Sequence, residues 1–132
     1  MRVFVYFNLH LRCFSVKALE GVNKGRVIAH KHEVQLYDCT YKVSEAGRQR
    51  VLREQRKNVH AGVCGTWLGD TAPAVIERYV TMGTRVTYNP YKYSTFVSAA
   101  TELPMLKSRS ATMLVAPNAN GIKVGYIYSL SL

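Results

Sequence analysis

The stretch KVSEAGRQRVLREQRKNVHAGV, residues 42–63, concentrates the residues best able to do chemistry. Arg48, Arg50, Arg53 and Arg56 stand in it with Lys42, Lys57 and His60, against only Glu45 and Glu54 as acidic counterweights. A guanidinium offers a planar, bidentate set of donors to phosphate and a face that stacks on a base, so arginine dominance points to a phosphorylated ligand. On a helix turning about 100° per residue, Arg50, Arg53, Arg56 and Lys57 share one broad sector, with Val51 and Leu52 opposite as the anchor. Like charges three or four residues apart repel one another. Such a face is either solvated and idle or awaits an anion, and His60 follows it closely enough to share that anion.

Two shorter stretches add to this. VTYNPYKYSTF interleaves Tyr88, Tyr91, Tyr93 and Phe96 with Asn89 and Lys92. Aromatic faces stack on bases and an asparagine pairs with an adenine edge or a ribose hydroxyl, although alternating tyrosines are more commonly packing residues of a strand. NKGRVIAH places Gly25 beside Arg26 after a turn, where backbone N–H groups can approach a phosphate; an ordinary hairpin turn is the competing explanation.

Catalytic constellations are harder to find. The four histidines are His10, His30, His32 and His60. The HKH run offers two imidazoles on one strand face but no third ligand nearby, so no metal is expected. No carboxylates are paired for acid/base work, and no phosphate loop, dinucleotide fingerprint or nucleophile elbow occurs, so neither an enzyme nor a cofactor is expected.

The whole chain limits the alternatives. Its 132 residues, 48% hydrophobic, suit one domain over 1–132 with a real core. A balance of 18 Lys+Arg against 8 Asp+Glu, net +10, favours anionic partners. Cys13, Cys39 and Cys64 are far apart and lack zinc spacing, which fits buried thiols in a reducing compartment. The start MRVFVYFNLHLRCF alternates and is interrupted by Asn8, His10 and Arg12, so it reads as strand rather than leader. No run approaches a membrane span.

The elements that must position these residues follow mainly a period of two. RVFVYFNL and RCFSVKAL read as a strand pair, GRVIAH as a strand after the turn EGVNKG, and EVQLYDC with TYKV as one or two more. SEAGRQRVLREQRKN reads as a helix with Ser44 as N-cap, ending at Asn58, with Gly47 weakening its first turn by about 1 kcal/mol relative to alanine. VHAGVCGTWL and TRVTYNPYKYSTFV resume β character, GDTAPAVIERYVTMG reads as a loop with a helical turn, and the tail reads as a hairpin around PNANG. The expected class is α+β: an antiparallel sheet with one main basic helix.

On YFNLHLRCFSVKALEGVNKGRVIAH, YKVSEAGRQRVLREQRKNVHAGV and VTYNPYKYSTFV, most of residues 1–97, the chain resembles small phage-encoded proteins, the Thoeris anti-defence sponges of the type first described. The resemblance implies a non-catalytic protein of the infected host's cytoplasm. Such a protein binds a cyclic ADP-ribose isomer made by an immune TIR enzyme, forms dimers or multiples of dimers, and in some members binds cyclic oligonucleotides at a separate site. It also implies that Arg53, Arg56, Lys57, His60, Tyr88, Asn89 and a later arginine, Arg109, carry the nucleotide pocket, with Gly25 and Arg26 as the second anion site. The alternative from the residues alone is a small DNA- or RNA-binding protein of phage, and a weaker one is an inhibitor covering a nucleic-acid site on a host protein.

Overall fold

Alternation in the first strand pair starts the sheet. In the computed structural model, which describes residues 1–69, 78–79, 81–117 and 126–130 apart from the side chains of Arg109, Ser110 and Tyr126, β1 (Arg2–Asn8) pairs antiparallel with β2 (Cys13–Ala18). Val3 and Val5 are fully buried while Phe4 and Tyr6 on the other face are half-exposed. Val3 lies opposite Ala18 and Val5 opposite Val16, so the register keeps the apolar face whole. Each fully buried valine contributes on the order of 1.5–3 kcal/mol.

The remaining strands are β3 (Val27–Lys31), β4 (Glu33–Val43), β5 (Ala61–Trp67), β6 (Thr84–Thr87), β7 (Val97–Ser98), β8 (Lys107–Val115) and β9 (Tyr126–Leu130). All join one nine-stranded sheet in the order β3-β2-β1-β5-β4-β8-β9-β6-β7, with antiparallel neighbours throughout. EVQLYDC and TYKV are a single strand of 11 residues, β4, bent at Asp38, whose φ is 51°. Registers with both β5 and β8 slip there, and Arg2 Nη1 donates to the Asp38 carbonyl at 2.9 Å. A bulge bends its strand and increases local twist.

The sheet curls over on itself. Val3, Val5, Phe14 and Val16 from one half share a single core cluster with Val86, Phe96 and Leu114 from the other. The outer face of β8 and β9 carries a second cluster, Tyr79, Ala111, Met113, Val115 and Tyr128. The second half of β8 is therefore covered on both faces, which suits its apolar residues Met113, Leu114 and Val115. All three cysteines are buried free thiols.

The helix α1 (Glu45–Glu54) has 10 residues. Ser44 caps it, its hydroxyl accepting from the Gly47 N–H at 3.3 Å. It ends before the expected Asn58 because Gln55 takes a left-handed φ of 53° and its N–H returns to the Val51 carbonyl. Arg56 and Lys57 thus leave the helix for an extended link into β5.

The α+β expectation is corrected by this architecture. Among the described residues the fold is an antiparallel β structure to which the 10-residue helix α1 is attached. The core forms where the curled sheet meets itself, and α1 adds only Val51 as a buried residue. The expected helical turn in GDTAPAVIERYVTMG lies mostly outside the described residues, as does the tip of the PNANG hairpin, whose two strands are β8 and β9. No helix among the described residues is long and apolar enough to cross a membrane.

Candidate functional site

Arg48 fixes the first wall of the site. Its Nε donates to the carbonyls of Pro90 and Tyr93 at 3.1 and 3.0 Å, and its Nη1 forms an ion pair with Glu45 at 3.0 Å. The turn it holds is closed by Asn89, whose Oδ1 accepts from the Tyr91 N–H and whose carbonyl accepts from the N–H groups of Lys92 and Tyr93. This Asx turn is the local reason for the NPY bend. Tyr93 further donates to Glu102, which also pairs with Lys92.

The second wall is the link from α1 to β5. Asn58 Nδ2 donates to the Gly47 carbonyl at 3.2 Å, which directs Asn58 Oδ1 to His60 Nδ1 at 2.8 Å. Because both oxygens near Nδ1 are carbonyl acceptors, that nitrogen carries the proton, and Nε2 accepts from the Tyr88 hydroxyl at 2.7 Å. Burial pushes the Tyr88 hydroxyl above its ordinary value, against the opposing pull of Arg48, so it remains a donor. The His60 and Tyr88 rings meet edge to face at 5.5 Å, and Tyr88 packs in turn on Phe96 at 5.2 Å.

Between these walls lies a groove of about 580 Å³. Lys57, His60, Tyr88 and Asn89 line it, with Leu9, Val59 and Tyr91 as exposed apolar residues beside them. A family model described as Mycobacterium phage L5 gene 82 protein matches residues 1–119 of this chain. The chain belongs to the mycobacteriophage L5 gene 82 protein family. The gene 82 protein of Mycobacterium phage L5 is 43% identical over 112 residues, covering 80% of this chain and 84% of its own. No solved structure matches. The phage association implied by the resemblance holds at this level; kinship with the anti-defence sponges is not part of the match.

In this gene 82 family protein four of the expected residues, Lys57, His60, Tyr88 and Asn89, come together on the groove. Arg53 and Arg56 do not line it; they are exposed beside it, and together with Arg50 and Lys57 they have no ion pair among the described residues. Arg109 falls within β8, between β4 and β9, and its side chain lies outside the described residues. His60, expected to share an anion, has both ring nitrogens engaged within the protein. Tyr91 is 62% exposed, whereas Phe96 is buried and Tyr88 half-buried as packing residues.

The Gly25–Arg26 element is the hairpin turn between β2 and β3. Gly25 has a φ of 85°, its N–H donates to the Ala18 carbonyl at 2.8 Å, and the Arg26 N–H donates to the Asn23 carbonyl at 2.9 Å. Both amides are occupied within the turn, and the Arg26 side chain is exposed. The HKH histidines separate too: His30 Nδ1 meets Ser15 Oγ at 3.1 Å, while His32 lies between β3 and β4. Among the described residues no three His, Cys, Asp or Glu side chains stand close enough to hold a metal ion.

Sequence reading missed Arg48. It assigned the anion-seeking sector to Arg50, Arg53, Arg56 and Lys57 and gave Arg48, which lies outside that sector, no role. A helical arginine just after a cap, on the anchor side, is the signal that sets it apart.

Proposed function

We propose that this gene 82 family protein binds and sequesters a small cyclic nucleotide, a cyclic ADP-ribose isomer first and a cyclic oligonucleotide second, as a counter-defence device of the phage. The observation that carries this reading is the groove itself. Lys57 supplies a cation, Asn89 has a free side-chain NH2, and Tyr91 contributes an exposed ring. These are the needs of a compact anion bearing a ribose and a base. His60 and Tyr88 are tied to each other, and no free base faces a nucleophile on this groove, which suits retention of the ligand intact. Exposed Arg53 and Arg56 draw the anion in from outside. The protein works in the cytoplasm of the infected host as a dimer or a multiple of dimers.

Titration calorimetry with cyclic ADP-ribose isomers and cyclic oligonucleotides tests the reading, followed by denaturation and chromatography of the released ligand. One of them binds and returns unaltered. No binding by any of them, or recovery of a cleaved product in proportion to protein, refutes sequestration. A second reading, nucleic-acid binding, draws on Arg50, Arg53 and Arg56 lying exposed and unpaired outside the groove. It forecasts affinity for generic strands falling by orders of magnitude between low and physiological salt, whereas a single pyrophosphate in a groove loses far less.

A further inference from the structure

Behind the groove, within the curl of the sheet, lies a chamber of about 240 Å³. Val5, Phe14, Val63, Val86, Phe96 and Leu114 form much of its wall. Phe7, Ala61, Thr87 and Tyr88 line both chamber and groove, so the groove is the chamber's mouth. A recess with a largely apolar wall that opens into a groove of about 580 Å³ is the form that ligand sites take.

The chemistry of the wall selects the occupant. Apart from Tyr6, Thr87 and Tyr88 its lining residues carry no polar side chain, and the Tyr88 hydroxyl is already held by His60. A nucleobase buried there would leave several donors and acceptors unmatched; an alkyl or aryl group would leave none. At the mouth stands Lys57, with no ion pair among the described residues. We infer that groove and chamber together form a site for a small amphipathic anion, with a phosphate or carboxylate held near Lys57 and a short alkyl or aryl group within the curl. This ligand class differs from the nucleotide proposed above, which fills the groove alone, and the inference does not depend on that reading.

Calorimetric titration of the full chain with n-alkyl phosphates from ethyl to octyl, with inorganic phosphate as reference, tests it. Affinity rises by about fourfold per methylene until the chamber is full and then levels off. Lys57→Ala weakens every member by a similar factor. Ala61→Leu, at the wall common to both spaces, removes the dependence on chain length and leaves the phosphate end unaffected. Affinity indifferent to chain length, or increments that persist in Ala61→Leu, overturns the inference. Should Ala61→Leu fail to fold, xenon decides, since it enters dry apolar cavities. Under xenon pressure the methyl resonances of Val63 and Leu114 shift in the wild-type protein, and unmoved resonances overturn the chamber site. Binding of a cyclic nucleotide without any alkyl phosphate refutes this inference alone; the converse refutes the nucleotide reading alone.

Discussion

Arg48 reaches across from α1 to the carbonyl of Tyr93, its Nε 3.0 Å from that oxygen, and clamps the turn that forms one side of the groove. Its side chain is only 17% exposed, so these are charged hydrogen bonds partly shielded from water. Truncation leaves the carbonyls of Pro90 and Tyr93 without their donor. Arg48→Ala should lower unfolding free energy by about 1.5–3 kcal/mol in urea titrations. Arg48→Lys should recover little, because lysine lacks the planar fork. Equal stability of all three proteins would show that the clamp is idle.

Gly47 reverses an ordinary expectation. Replacing a helical glycine by alanine normally stabilises by up to about 1 kcal/mol. Here an added Cβ would collide with the Cβ of His60, an atom fixed close to the backbone of the link into β5. Gly47→Ala should therefore destabilise by roughly 1–3 kcal/mol, the cost of overpacking. It should also move the His60 imidazole resonances, since Asn58 Nδ2 bonds the Gly47 carbonyl and Asn58 Oδ1 bonds His60. A gain in melting temperature would contradict this packing.

Cys39 makes stability fall in alkali. Burial pushes its thiol from an ordinary 9.0 up to about 11. A folded-state value above the unfolded one means the contribution is complete below pH 9, declines as pH rises from 9 to about 11, and is absent above that. Cys39→Ala should flatten that part of the stability–pH curve. Native protein at neutral pH should resist thiol reagents at Cys39 until it unfolds. Rapid labelling of Cys39 in the folded state would refute this.

The groove residues should rank by position. Lys57→Ala and Asn89→Ala should weaken nucleotide binding by about tenfold to a hundredfold, the loss of one good polar contact each. Arg53→Ala and Arg56→Ala, exposed beside the groove, should mainly slow association and do so less at high salt. Stopped-flow rates distinguish the two classes, and identical behaviour of all four variants would mean the groove is not the site.

Self-association should use β3. Among the described residues this strand pairs only with β2, whereas the other terminal strand, β7, is partly covered: the Met105 N–H donates to the Phe96 carbonyl and the Ser98 N–H to the Leu103 carbonyl. An uncovered edge is a template for another strand. Light scattering at tens of micromolar should report a dimer or a multiple, and Ala29→Pro on β3 should reduce it. A monomeric parent protein would remove the proposal.

Local pattern settled what local physics controls. Alternation in RVFVYFNL and RCFSVKAL made the first strand pair legible, because a strand puts successive side chains on opposite faces whatever lies beyond it. Ser44 as N-cap was legible for a similar reason, since a cap needs only its own hydroxyl and an N–H three residues on. The excess of arginine and lysine was visible as composition. The tertiary structure alone decided the rest. Where α1 stops depends on Gln55 adopting a left-handed φ, and its sequence gives no signal of that. The class depends on the bulge at Asp38 and on the curl that lets Val5 share a core with Val86 and Leu114, contacts between strands remote in sequence that no periodicity encodes. In the sequence Arg48 differs from its neighbours only in its place on the anchor side of α1. It became a clamp only because the curl carried residues 90–93 to the far side of the helix, within reach of its Nε.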